Sequence, residues 1–177
     1  MLPWQYGDAV NALSEYSRAL YPEWCARQEA LSGLDAEYCA SGMLVLPPFS
    51  PTEATAWCAA HDWRCELRDS GDFLPTSDAQ NALWLPDVAQ ARNPRLIHVL
   101  RGAAIASGVR IVESAEVTGL VAEQGRISRV NTTQGDFSTA GVVIAAGAWT
   151  GTLPGLEAFA TQIFPVRGQM LLFKLPP

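Results

Sequence analysis

Apolar positions recur at helical spacing in the first part of the chain and switch to strand spacing beyond Gly108. After Tyr6-Gly7, Asp8 is placed to cap a helix that carries Leu13, Tyr16 and Leu20 on one side. Pro22 cannot donate an internal helix hydrogen bond. It predicts either a break or the first turn of a second helix, Glu23 to Leu31, stopped at Gly33. Met43 to Leu46 reads as a short strand ended by Pro47-Pro48. Pro51 opens another helix, with Thr52 a candidate cap and Ala56, Trp57 and Ala60 on one side. Residues 62 to 80 are polar, hold Gly71 and Pro75, and predict a surface connection. Ala82 to Leu85 is a second short strand. Asn93-Pro94 then starts a helix through Ile105, with a stripe of Leu96, Val99, Leu100 and Ala103, and Gly108 ends it.

Past Gly108, Val109 to Val112, Val117 to Ala122 and Arg126 to Thr132 predict strands. Glu123-Gln124-Gly125 is a tight turn between the last two, and Gln134-Gly135-Asp136 makes another. Val142 to Ala146 is apolar without alternation, which suits a strand buried on both faces, as in a parallel sheet. Pro165 to Phe173 is a final strand candidate.

Composition narrows the function classes. Of 177 residues, 49% are apolar and 17% charged, a globular balance. Twelve Lys and Arg against 18 Asp and Glu give a net charge of −6, which argues against a nucleic-acid surface and against an anionic membrane. No run approaches the length of a membrane span, and the N-terminus shows no secretory pattern. Cys25, Cys39, Cys58 and Cys65 have no CxxC spacing and read as reduced thiols of a cytoplasmic protein. Cys58, His61 and Cys65 lack a fourth zinc ligand nearby, so no metal site is expected.

No two of the 14 glycines are separated by a single residue, so GxGxxG is absent, as is GxxxxGK[ST]. The backbone turn that cradles a dinucleotide pyrophosphate is therefore missing. Val142 to Trp149 nevertheless resembles the edge of such a site. An apolar strand ends in Ala145-Ala146-Gly147, small residues that let a ligand or backbone approach closely. A strand-to-helix turn with no ligand explains the same residues.

VVIAAGAWTG, followed by Pro165-Val166-Arg167-Gly168-Gln169-Met170, resembles the D-amino-acid oxidase superfamily of flavoproteins. The nearest branch is bacterial glycine oxidase, associated with thiamine biosynthesis. The opening LPWQYGDAVNALSEYSRALYPEW, Ser41 to Leu46, Leu83-Trp84-Leu85-Pro86 and Asn93-Pro94-Arg95-Leu96 are similar to that branch in the same order.

The resemblance implies an α+β fold. A mixed or antiparallel sheet would carry helices on one face as part of a substrate domain, joined to part of the FAD-binding α/β domain. Residues 1–90 would belong to the substrate domain, 91–150 to the flavin domain, and 151–177 would return to the substrate domain. The family's GxGxxG lies upstream of the region matched here. Its carboxylate-binding arginine and substrate-lining tyrosine lie downstream, so the chain resembles an internal fragment and no catalytic residue carries over. The cofactor-contact candidates are Val117, through its main chain, and Ala146, Gly147 and Trp149 near the nucleotide end of FAD. Arg167 lies in a family strand rather than at the substrate anchor. The implied reaction is oxidative deamination of glycine or another small amino acid by O2, giving imine or 2-oxo acid, ammonia and H2O2. Two alternatives stay open. One is a truncated, non-catalytic binding module of the same fold. The other is an enzyme of another class such as a hydrolase, although no GxSxG is present. Uncovered sheet edges and apolar area predict a tendency to associate, with a homo-oligomer as one outcome.

Overall fold

One helix, α1 (Asp8–Ser32), runs straight through Pro22 in the computed structural model. That corrects the expected break. The missing N–H leaves the Arg18 carbonyl without its helix partner, yet good helix formers on both sides and the burial of Cys25 carry the helix onward. Asp8 is the first helical residue rather than the cap, which is Gly7. Gly33 ends the helix at φ +70, its N–H donating to the Glu29 carbonyl at 2.8 Å. The structure describes residues 2–73, 80–160, 162–163 and 165–168. They fall into two compact units, Met1–Arg110 and Ile111–Pro177.

In the first unit, β1 (Met43–Val45), β2 (Glu66–Asp69) and β3 (Asn81–Leu85) form an antiparallel sheet in the order β1-β3-β2. Val45 lies opposite Leu83 and Met43 opposite Leu85, so these four side chains share one face. Helix α2 (Pro51–Ala60) covers that face with Ala54 and Cys58, and the 3-10 turn Pro3–Gln5 adds Trp4. Its cap is Ser50 rather than Thr52, because the Ser50 hydroxyl accepts the Glu53 N–H at 3.3 Å. β2 lies inside the expected surface connection. Its four exposed positions carry no apolar alternation, and only the ladder to β3 defines it as a strand. Helix α3 (Asn93–Ala106) packs on α1 and buries Val99 and Ala103 of the expected stripe. In contrast, Leu13, Tyr16 and Leu20 of α1 lie exposed.

The second unit holds an antiparallel meander of β4 (Val117–Glu123), β5 (Arg126–Thr132) and β6 (Gly135–Ser138). Gln124 and Gly125 both take positive φ, 51 and 77, the geometry of a two-residue hairpin whose twist matches its strands. β6 begins inside the expected second turn. Two strand expectations are corrected here. Residues 109–112 and 141–146 form no strand, because no described strand lies alongside to complete a ladder. Val143 is 91% exposed rather than buried on both faces. Of the expected strand 165–173, residues 165–168 are irregular and the rest lies outside the described residues. The protein is thus α+β, with antiparallel sheets and α2 on one face of the first.

Candidate functional site

Ala146, Gly147 and Trp149 come together in one 3-10 turn, Gly147–Thr152, directly after the exposed apolar segment. Ala146 is its cap, with φ −81 and ψ 2, and its carbonyl accepts the Trp149 N–H at 3.1 Å. Gly147 has φ +53, which L side chains adopt only under strain, and a Cβ there would meet nothing within 4 Å. The turn is tied internally. Thr150 Oγ1 donates to the Gly147 carbonyl at 2.7 Å and Thr152 Oγ1 to the Trp149 carbonyl at 2.8 Å. The Trp149 ring is 67% exposed. Gly151, which the sequence did not single out, seats this turn: a Cβ there would fall 2.4 Å from the Ala160 Cα. Such close approach leaves no residue pattern to read.

Val117 belongs to a different element. It begins β4, half-buried, opposite Thr132, with a register irregularity between it and Gly119. The irregularity interrupts ladder pairing there. Beside it Asn131 is paired with Gly119, and its Oδ1 is buried without a hydrogen-bond partner.

The first unit carries a separate feature. A cavity of about 430 Å³ lies between α1 and the segments holding Tyr38, Trp63 and Gln90. At its wall the Arg18 guanidinium sits 4.9 Å from the Trp63 ring centroid and pairs with Glu15 at 3.0 Å. The Trp63 indole N–H donates to Glu15. Burial pushes the Glu15 carboxyl up, but the bonds from Trp63 and Arg18 outweigh it and hold the group below the usual carboxylate range. Arg64 makes a two-pronged pair with Asp87, and this bond holds the Asp87 carboxyl low. The cavity's lining residues Arg18, Tyr38, Trp63 and Gln90 come from segments far apart in sequence, so no motif announces them.

Other candidates resolve into structural contacts. Arg95 pairs with Glu37 at 3.0 Å on the surface, and Arg167 is exposed. His98 is exposed on α3. His61 stacks on Trp57 with centroids 4.1 Å apart, and its Nδ1 donates to the Trp57 carbonyl at 2.9 Å. It is therefore turned to its own helix, while Cys58 is buried in the core. Among the described residues no three His, Cys, Asp or Glu converge as a metal site, and no helix is long and apolar enough to cross a membrane.

The FAD dependent oxidoreductase family model matches residues 2–177. Glycine oxidase of Pseudomonas putida is 35% identical over 181 residues, covering 98% of this chain and 49% of that protein. The bifunctional protein ThiO/ThiG of Synechocystis is 31% identical over 164 residues, covering 90% of this chain and 24% of that protein. The solved structure of glycine oxidase from Bacillus cereus superposes with a TM-score of 0.76 at 23% identity, over 88% of this chain and 45% of that one. That likeness is one of fold. The chain spans about half the length of the glycine oxidases it matches.

Proposed function

The chain belongs to the FAD dependent oxidoreductase family, and from that membership we propose that it is a fragment of an amino-acid oxidase acting on glycine or a D-amino acid. The products are the imine or 2-oxo acid, ammonia and H2O2. The observation that carries the reading is the family match across residues 2–177, supported by the 35% identity to a glycine oxidase. The 31% identity to a bifunctional protein ThiO/ThiG also favours a role in thiamine biosynthesis.

The residues present fit one edge of the cofactor. Gly147 opens onto free space, and Trp149 offers an exposed ring against which a flat group can pack. Val117 offers main chain at a register irregularity, where ladder pairing is interrupted. No GxGxxG is present to hold a pyrophosphate. When bound, the flavin supplies the two-electron oxidation of the amine, with O2 as final acceptor. This chain's part is to position. In this reading residues 91–150 belong to the flavin domain, and 1–90 and 151–177 to the substrate domain. α2 and the β1-β3-β2 sheet give the substrate domain a rigid wall.

The test is a FAD titration of the 177-residue chain, with flavin absorbance read after gel filtration, beside a longer version carrying the flanking sequence. The reading expects flavin retention and peroxide from glycine only in the longer protein. A longer protein that folds yet neither retains flavin nor makes peroxide from glycine or D-amino acids would overturn it and favour a non-catalytic binding module.

A further inference from the structure

α3 and its flanks are the basic stretch of an acidic protein. Between Asp87 and Glu113 the chain holds no Asp or Glu, yet it carries Arg92, Arg95, His98, Arg101 and Arg110. Arg95, His98 and Arg101 recur every three residues, which puts them along one side of the helix. Together with Leu34, Asp35 and Gly102 they line a cavity of about 330 Å³. Small-ligand sites start at about that volume, roughly 300 Å³. Its floor is fixed by backbone. A Cβ on Gly102 would fall 2.9 Å from the Ser32 Cβ, so the bare glycine lets α3 lie against the end of α1.

We propose that this cavity binds a small phosphate group, either inorganic phosphate or the head of a phosphate monoester. Arg92, Arg95 and Arg101 stand against the carboxylates of Asp35 and Glu37, so positive charge is in excess before His98 is counted. The Asp35 Oδ1 is already engaged, accepting the Glu37 N–H at 2.7 Å. Glu37 pairs with Arg92 at 3.2 Å and with the Arg95 Nε at 3.0 Å. Among the described residues nothing engages the two Nη groups of Arg95, and nothing engages the His98 ring. A guanidinium edge and an imidazole one turn further along the helix can each take an oxygen of the same phosphate. Arg101 adds its charge to the same wall. Glu37 competes with the phosphate for Arg95, so the site is weakened, not built, by that ion pair. Arg95 and His98, which have no place in catalysis, thereby gain a role as ligand contacts.

The chain has two histidines, which makes the test direct. Proton NMR of the 177-residue chain follows both ring signals while inorganic phosphate replaces chloride at constant pH and ionic strength. A second series uses glycerol phosphate. His61 stacks on Trp57 and lines no part of this cavity, so it serves as the internal reference. The expected result is a saturable shift of the His98 signals alone. Saturation by inorganic phosphate only assigns the free anion, and saturation by both assigns the phosphate head of an ester. Arg95→Gln should weaken binding about tenfold, the loss of one charge-assisted contact. Glu37→Gln should tighten it, whereas a purely structural role for the Glu37–Arg95 pair gives no gain. Arg92→Gln also breaks a pair with Glu37 but lines no part of the cavity, and its more distant, screened charge should change binding less than about threefold. The proposal fails if His98 moves no more with either phosphate than with chloride, or if Arg95→Gln binds as tightly as the wild type. No step involves flavin or glycine, so failure here leaves the proposed oxidase function standing.

Discussion

The Glu15 carboxylate in α1 accepts the indole N–H of Trp63, a residue 48 positions later in the loop before β2. Trp63 in turn packs edge-on to Trp57 of α2 with centroids 5.4 Å apart, so one carboxylate ties α1 to the aromatic end of the core. Trp63→Phe removes the donor and should lower stability by about 1 kcal/mol, read from denaturant unfolding.

The same carboxylate makes a pH prediction. Glu15 and Asp87 are held below the ordinary carboxylate range in the folded protein, so between their folded and unfolded values the unfolded chain binds more protons. Their contribution is fully present above the usual carboxylate pKa, about 4. It is lost as pH falls through the folded values. The thermal midpoint should therefore drop on acidification below about pH 5. Glu15→Gln should flatten that drop. A midpoint whose acid slope is the same in Glu15→Gln and the wild type would show that the Trp63 bond does not carry it.

Pro22 offers an opposite case, a residue whose replacement should help. It sits inside α1, where it removes one helix hydrogen bond and crowds the preceding turn. Pro22→Ala should restore the bond to the Arg18 carbonyl and raise stability by about 1–3 kcal/mol. Helicity by circular dichroism should stay constant. A loss of stability would mean that the proline's shape is used in packing.

Gly33 and Gly42 share a left-handed backbone, φ +70 and +69, but not their surroundings. At Gly33 an added Cβ meets nothing within 4 Å, whereas at Gly42 it would lie 2.0 Å from the Trp84 ring. Trp84 is itself stacked on Phe73 with centroids 5.1 Å apart and cannot simply swing aside. Gly33→Ala should cost about 1 kcal/mol, the backbone strain alone. Gly42→Ala adds overpacking, and should cost at least about 2 kcal/mol more. Equal losses in urea unfolding would remove Trp84 as the cause.

What the sequence disclosed follows from how locally each element is determined. α3 was legible because Pro94 at its first turn and the stripe through Val99 and Ala103 are contained within the helix. The β4-β5 hairpin was legible from alternation broken by Gln124-Gly125. β2 was not, since Glu66 to Asp69 are all exposed and acquire strand geometry only from β3. Val142 to Ala146 erred the other way. Apolar residues without alternation fit a buried strand, but burial also needs neighbours, and no described strand lies beside this segment. The Gly147 turn announced itself by its small residues, whereas Val117 looked like any strand valine and stood out only through the family resemblance.

Cys58 yields a prediction at alkaline pH. Its thiol is raised to about 12 by burial and by Cys65, above the ordinary thiol value near 8.5 in an unfolded chain. Between those values the folded protein binds more protons, so stability falls as pH rises through that window. Cys58→Ala removes the linkage. Its unfolding midpoint should therefore decline less steeply than the wild type's from about pH 8.5 upward, whatever its starting stability. Parallel declines would show that the buried thiol ionises no differently when the protein is folded.

The proposed flavin edge is tested best by residues that should behave differently from one another. Val117 would contribute main chain, so Val117→Ala in the flanked, flavin-retaining protein should shift the FAD Kd less than about twofold. Gly147 is at φ +53 over open space, so a β-branched side chain there both strains the turn and occupies the free volume. Gly147→Val should lose flavin on gel filtration. Trp149 is 67% exposed and makes its turn's hydrogen bonds through its backbone, so Trp149→Ala should leave the fold intact. Loss of an aromatic packing surface is worth about 1–2 kcal/mol, so the Kd should rise about tenfold. Flavin fluorescence titration reads all three. If Trp149→Ala binds as tightly as the wild type while Val117→Ala does not, the cofactor edge lies along β4 rather than at the Gly147 turn.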